Sequence, residues 1–130
     1  MVDLLAKDVT LATLVAAQAG LTKRKDLITQ NIANVNTPNY KRRDVTFGDE
    51  LVAALGRPAA NRAERVANVS QVVAQEVVEE RLFYRPDMGG VDIDREMVEF
   101  AKMQLKSALI NQLLYEKIRQ YRTVIKDGRV

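Results

Sequence analysis

The side chains that most often perform chemistry in proteins are scarce in this chain. Its 130 residues include no histidine, cysteine or tryptophan, and Ser70 and Ser107 are its only serines. A Ser-His-Asp or Cys-His nucleophile therefore cannot be assembled, and a zinc site would need carboxylates alone. No glycine pattern for binding phosphate or a dinucleotide occurs. A catalytic pair of carboxylates stays possible in principle, but no acidic pair differs from ordinary helix-surface charges. The sequence predicts a protein that is not an enzyme and that binds no cofactor or small-molecule substrate.

One acidic run has a spacing that could bind a metal. Asp92, Asp94 and Glu96 alternate as they do at the start of a calcium loop. Positions six and twelve of that loop would be Met97 and Met103, where glycine and glutamate are required. The same acids suit the first turn of a helix, where a side chain caps free amides and negative charge opposes the helix dipole. The run therefore predicts a helix start and no metal site.

Basic residues cluster at 23–25 and 41–43, within a net charge of +3 and a pI of 9.3. Such clusters can contact nucleic acid or an acidic membrane. Asp26 and Asp44 directly follow them, which favours a solvated helix face or a charge contact between subunits. We therefore predict no nucleic-acid partner.

A long amphipathic helix is predicted at residues 9–35. Asp8 is placed to cap it, and apolar residues recur in steps of three and four, interrupted at Gln18 and Lys25. Gly20 near its middle costs up to about 1 kcal/mol relative to alanine. The apolar positions of this stripe are Leu11, Leu14, Leu21, Ile28, Ile32 and Val35.

A turn is predicted where this helix stops. Pro38 cannot donate to the helical ladder and moves Thr37 out of the α region, so the helix should end at or before Asn36. Asn39 would take the third position of a type I or type II turn, where it tolerates a positive φ.

The middle of the chain has weaker patterns. Residues 40–47 are interpreted as an extended loop, and residues 49–55 as one or two helical turns. Across residues 59–84 the valines follow a helical step, although valine-rich segments favour strands, and residues 76–84 could form a short strand. Residues 85–90 contain proline and glycines that break regular structure.

A second long helix is predicted from Asp92 to Lys126, and Gly128 should stop it. It carries two apolar rows, whereas a helix in a simple pair needs one. The excess could be covered by the middle segment, but neighbouring subunits are favoured because that segment has few large apolar residues. One row contains Phe100, Met103, Ser107, Ile110, Leu114, Ile118, Tyr121 and Ile125; the other contains Val98, Ala101, Leu105, Leu109 and Leu113.

The fold class is therefore mainly α, with long terminal helices joined by an irregular middle segment that has possible short strands. We divide the chain into residues 1–36, 37–91 and 92–130 within one domain. Hydrophobic residues make up 47% of the chain and charged ones 28%, as in a folding-competent protein. No apolar run approaches the ~18 residues of a membrane span. Charges at residues 3, 7 and 8 argue against a secretory signal.

The first helix ends in a motif that resembles the signature of flagellar basal-body rod and hook proteins. It reads Asn-Ile-Ala-Asn-Val-Asn-Thr-Pro-Asn-Tyr-Lys from residue 31 to residue 41. The family usually has glycine where this chain has Asn39, and asparagine is the next-best occupant of a left-handed position. The matching residues are Asn31, Ile32, Ala33, Asn34, Thr37, Pro38, Asn39 and Tyr40.

The start of the second helix resembles the same family. Val91, Asp92, Glu96 and Met97 match the Val-Asp-x-x-x-Glu-Met stretch of rod proteins, although glycines replace the asparagine or threonine that usually precedes it. The short chain and its ending resemble the proximal rod subunits. The resemblance covers about the first 50 and the last 45 residues.

This resemblance implies a structural subunit of the bacterial flagellar rod in the periplasm. Such proteins are exported without a cleaved signal by the flagellar type III system, and their terminal helices pair as an antiparallel coiled coil within a tubular array. The implied partners are the chain itself, FlgC-type proximal rod proteins, the adapter FliE and the export gate. The alternative is a small soluble helical adapter that binds one partner helix. The predicted assembly interface consists of Leu11, Leu14, Leu21, Ile28, Ile32, Val35, Leu105, Ile110, Leu114, Ile118, Tyr121 and Ile125.

Overall fold

Along the chain, two long terminal helices flank a two-stranded antiparallel sheet and two short helices. The computed structural model describes residues 7–80 and 90–128, and it confirms the mainly α fold class. In chain order the elements are α1 (Val9–Ala33), β1 (Arg43–Thr46), α2 (Gly48–Gly56), α3 (Arg62–Ser70), β2 (Gln75–Val78) and α4 (Ile93–Asp127).

The long helices begin at side-chain caps. The Leu11 amide donates to Asp8 Oδ1 over 3.0 Å, and Asp92 Oδ1 accepts from the Asp94 amide over 3.0 Å. Helix α1 ends at Ala33, slightly before the predicted end. Asn34 caps it, and its amide and its Nδ2 both donate to the carbonyl of Gln30. The Gly128 amide donates to the Val124 carbonyl over 2.9 Å and closes α4.

Helices α1 and α4 are antiparallel. Asn31 hydrogen-bonds to Glu96, Gln18 to Ser107 and Asp8 to Tyr121, so residue numbers fall along one helix as they rise along the other. Gln18, which interrupts the apolar stripe, donates from Nε2 to Ser107 Oγ over 2.9 Å. This polar layer costs stability but favours one alignment, as polar core residues do in coiled coils.

The middle segment is more regular than predicted. The interpretation of residues 40–47 as a loop is wrong for β1, which pairs antiparallel with β2, Arg43 opposite Val78 and Thr46 opposite Gln75. This strand has few apolar residues, so only its long-range partner reveals it. The valine-rich region forms both predicted structures, α3 first and β2 afterwards. The predicted strand at 76–84 extends beyond the described residues after Glu80, and the break at 85–90 lies outside them except for Gly90.

The apolar core lies where α1 meets α2, α3 and the start of α4. Leu27, Ile28 and Val69 are almost completely buried, and burial of each such side chain contributes roughly 1.5–3 kcal/mol. Ala54, Val91 and Met103 complete the core within the described residues. Three polar side chains, Asn31, Arg42 and Glu96, are buried beside it.

Gly20 has a packing role that its helical position does not reveal. A Cβ added at Gly20 would lie 2.5 Å from Cδ1 of the Phe47 ring. The ring therefore rests against the bare backbone of α1, where any larger residue would displace it.

We expect Gly20→Ala to lower the free energy of unfolding by about 1–3 kcal/mol, because the methyl group forces Phe47 out of its site. Helix propensity alone predicts the opposite sign, a gain of up to about 1 kcal/mol. Urea denaturation followed by circular dichroism measures the change. Gly56→Ala is the matched control, because nothing lies within 4 Å of a Cβ there. Stabilisation by Gly20→Ala would show that the Phe47 contact does not contribute to the free energy of unfolding.

Candidate functional site

The turn after α1 is the first part of the site. The Tyr40 amide donates to the Thr37 carbonyl over 3.3 Å, and Asn39 has a φ of 60°. A positive φ at the third position identifies a type II turn, with Pro38 at the second. Asn39 supplies the left-handed conformation in place of the usual glycine. The turn directs the chain from α1 back along the helix and into β1.

Asn31 anchors this returning chain to α1. Its Nδ2 donates to the Arg43 carbonyl over 2.7 Å and to Glu96 Oε2 over 3.0 Å. Its Oδ1 accepts from the Arg43 amide over 3.0 Å and from the Tyr40 hydroxyl over 3.4 Å. The buried amide is thus satisfied on both of its atoms, as buried polar groups generally are. It links the helix, the strand and the start of α4.

Arg42 joins the two terminal motifs. Its side chain is 6% exposed, and its Nε donates over 2.5 Å to Oε1 of Glu96, whose side chain is completely buried. Its other nitrogens contact Asp44 Oδ2 at 3.1 Å and Glu79 Oε2 at 3.4 Å. We call Asn31, Arg42, Asp44 and Glu96 the polar joint.

Arg24 extends the polar joint along the helix pair. Its guanidinium lies 2.9 Å from Asp44 Oδ1 and 3.1 Å from Glu99 Oε2. The prediction of a solvated or intersubunit basic surface is therefore wrong for Arg24 and Arg42, which pair with carboxylates of their own chain. Lys25 and Lys41 are exposed. The difference arises because β1 folds back over α1 and places Asp44 between the two arginines.

The polar joint shifts the pKa values of Asp44 and Arg42 toward their charged forms. Burial raises the pKa of the Asp44 carboxyl, but the Val45 amide and the two arginines outweigh it and hold that pKa below its usual range. Burial lowers the pKa of the Arg42 guanidinium, but the hydrogen bond and charge of Glu96, with Asp44, raise it overall. These opposite charges thus stabilise each other in the folded chain.

A second polar contact fastens the other end of the helix pair. Asp8 accepts from the Tyr121 hydroxyl and lies 3.0 Å from Lys117 Nζ. Burial raises the pKa of Asp8, but hydrogen bonds from Tyr121, the Leu11 amide and Lys117 outweigh it and lower the pKa to about 2. Because this pKa lies below the ordinary value of 3.8, the contact contributes stability above that value and loses it as the pH falls through about 2.

The residues predicted at the start of α4 have different surroundings. Val91 is buried, Asp92 caps the helix and Glu96 belongs to the polar joint. Met97 is exposed. In the turn motif, Ile32 and Asn34 are half-buried, whereas Ala33, Thr37, Pro38 and Asn39 are exposed.

Most residues of the predicted assembly interface are at least partly covered by their own chain. Ile28 is fully buried, and the half-buried members are Leu11, Leu14, Leu21, Ile32, Val35, Ile110, Leu114 and Tyr121. Ile118 and Ile125 are partly exposed, and Leu105 is 74% exposed. Leu105 thus belongs to a different surface from the others.

That surface is the second apolar row of α4. Leu105, Leu109 and Leu113, together with Val98, are exposed. Successive residues of a helix turn by about 100°, so this row lies nearly opposite Met103, Ser107 and Leu114. We call Val98, Ala101, Leu105, Leu109 and Leu113 the free apolar face. Beside it lies a groove of about 330 Å³ between α1, α4 and the segment that leads from β1 into α2. Its lining is mostly apolar, including Leu21, Phe47, Leu51 and Leu109, with the charged Arg24 and Lys106.

Sequence reasoning missed Arg42 and Asp44, and it placed Glu96 in the helix-entry motif without predicting its burial, although a signal for that burial was present. Glu96 precedes Phe100, Met103 and Ser107 in steps of four, three and four. It therefore occupies a core position of the first apolar row, and a carboxylate at such a position demands a buried partner. No comparable pattern identifies Arg42.

Two further searches covered the described residues. No group of three or more acidic side chains is placed to hold a metal ion within residues 7–80 and 90–128. In the same ranges, none of the helices combines the length and apolarity that crossing a bilayer requires.

An antiparallel helix pair, fastened at both ends and apolar on its outer side, is typical of structural proteins. No protein-family model matches the chain. Several curated proteins, however, are similar to it in sequence. The flagellar basal body rod protein FlgB of Escherichia coli K12 is 30% identical over 117 residues, covering 82% of this chain and 85% of the relative. FlgB of Cereibacter sphaeroides is 32% identical over 106 residues, covering 79% of this chain and 83% of the relative. FlgB of Bacillus subtilis 168 is 28% identical over 114 residues, covering 82% of this chain and 84% of the relative.

The chain belongs to the family of FlgB flagellar basal body rod proteins. The family resemblance seen in its two motifs is thereby confirmed. It is a structural component of the flagellar rod.

Proposed function

We propose that the chain is a proximal rod subunit without catalytic activity, which is exported by the flagellar type III system without a cleaved signal. In the periplasm it joins a tubular array by lateral packing of its helices. Its neighbours are copies of itself and FlgC-type rod proteins, with the adapter FliE and the export gate at the proximal end.

The free apolar face carries this proposal. A helix that pairs with one partner needs one apolar side, and α4 has its second on the opposite side, with Leu105 74% exposed. Contiguous exposed apolar surface of this kind marks interaction sites. Leu109 belongs both to this face and to the lining of the groove. A neighbouring helix could therefore pack along the face and insert side chains into the groove.

Two properties support passage through a narrow export channel. Cysteine is absent, so no disulfide cross-links the chain. The polar joint connects residues 54 and 65 positions apart in the sequence, so it forms only after both parts of the chain have emerged. Residues 1–36 would then form the helix for export and pairing. Residues 37–91 would supply the turn and the two-stranded sheet, and residues 92–130 the helix that packs against neighbouring subunits.

The test places charge on the free apolar face. We expect Leu105→Asp with Leu109→Asp to leave the urea midpoint of the purified chain nearly unchanged, because both side chains are already exposed. The variant should be exported, yet cells that carry it should build no rods and should not swim. Fractionation, electron microscopy of basal bodies and soft-agar motility measure these three steps.

Gln104→Asp with Asn111→Asp is the matched control, since both residues are exposed on another side of α4 and add the same charge. It should support swimming. Swimming by the leucine variant would contradict lateral packing through this face. Loss of a single binding partner with intact rods would instead favour the helical adapter.

A further inference from the structure

The polar joint has a high desolvation cost for a contact between two helices. Glu96 is completely buried and Arg42 nearly so, and both lose hydration that their attraction only partly replaces. Buried ion pairs replaced by apolar residues of similar volume often leave stability unchanged or improve it. Stability alone therefore does not account for the joint.

The apolar part of the helix seam tolerates sliding, although Asp8 with Tyr121 and Lys117, and Arg24 with Glu99, also link the two ends of the chain. Its apolar residues repeat in steps of three and four on both helices, so a shift of α4 by one or two turns brings apolar side chains opposite apolar side chains again. Gln18 with Ser107 is a polar contact midway along the seam, and both of its members are neutral.

The polar joint does not tolerate sliding. Asn31 donates simultaneously to the Arg43 carbonyl on β1 and to Glu96 on α4. A shift of α4 by four or seven residues would place Phe100 or Met103 opposite Asn31 and Arg42, leaving a buried guanidinium without its principal partner. An uncompensated buried charge is strongly unfavourable.

We propose that the polar joint is a register lock, which selects one antiparallel alignment of α1 and α4 without adding net stability. Arg42 and Glu96 are its positioning residues. The lock matters because the alignment decides where along the molecule the free apolar face lies.

The test replaces the charges while keeping the volume. Arg42→Met with Glu96→Met leaves Asn31 bonded to the Arg43 backbone, Asp44 bonded to Arg24 and Glu79 bonded to Arg95. Because the full chain has no cysteine, introduced pairs report the alignment directly. Gln18→Cys with Ser107→Cys reports the observed register, and Gln18→Cys with Leu114→Cys reports a shift of one heptad.

With the joint intact, mild oxidation should cross-link only the first cysteine pair. In the methionine variant the urea midpoint should stay equal or rise, and cross-linking of the shifted pair should increase from background to a yield comparable with the first. Arg43→Met with Glu76→Met, which removes an exposed ion pair, should change neither result.

Two outcomes overturn the proposal. A fall in the urea midpoint, or failure of the methionine variant to fold, would mean that the joint supplies stability. An unchanged midpoint with cross-linking confined to the first pair would mean that the register is set elsewhere, for example by Asp8 with Tyr121 and Lys117.

Discussion

Glu96→Ala lowers the free energy of unfolding by about 3–5 kcal/mol, because it leaves Arg42 buried without its closest carboxylate. Arg42 is 6% exposed, and among the described residues the ion pairs left to it are those with Asp44 at 3.1 Å and Glu79 at 3.4 Å. Asn31 also loses one acceptor, although the Arg43 carbonyl remains. Urea denaturation of the purified chain, followed by circular dichroism, measures the loss.

Glu99→Ala is the control for that experiment. Glu99 is also a carboxylate of α4 paired with an arginine, at 3.1 Å, but both side chains are more than 20% exposed. Surface ion pairs of this kind contribute about 0–1 kcal/mol, so the control should lose no more than that. Equal losses for the two variants would show that Glu96 is hydrated in solution and that the joint is not a buried pair.

Leu114→Asp is expected to destabilise the folded chain by several kcal/mol, because it introduces an unpaired carboxylate into the seam between α1 and α4. Leu114 is half-buried on the side of α4 that carries Ser107 and Tyr121, the residues that contact α1. Export should be spared, because the substitution acts on the folded, packed state. The urea midpoint and the amount of exported protein measure the two effects separately.

Leu113→Asp tests the neighbouring position on the free apolar face. Leu113 is exposed, so its substitution should change the free energy of unfolding by no more than about 0.5 kcal/mol. It should nevertheless impair rod assembly and swimming. If both variants unfold at the same urea concentration as the unaltered chain, Leu114 does not lie in a helix seam and the antiparallel pairing is wrong.

The local elements of this protein follow from its sequence. Asp8 and Asp92 mark the starts of the long helices, Pro38 sets a limit that the first cannot pass, and Asn39 permits the type II turn, because each acts through atoms within a few residues of itself. The same local strings, around Asn31 and Asp92, carry the resemblance to rod proteins that the FlgB relatives confirm. Helix α4 is predicted for the same reason, since no proline or glycine interrupts it.

Contacts between distant residues were decided only by the tertiary structure. From the sequence alone, Gly20 is expected only to weaken α1. The structure shows that the Phe47 ring, from the segment after β1, packs against it. From the sequence alone, Arg42 belongs to a basic cluster that is expected to be solvated. In the structure, the chain that leads into β1 folds back over α1 and brings Arg42 against Glu96, 54 residues away. Both rows of α4 are mainly apolar, and only the position of α1 makes one a seam and leaves the other free. Local sequence encodes where helices begin, end and turn, whereas burial of a charge or of a helix face depends on which distant surface covers it.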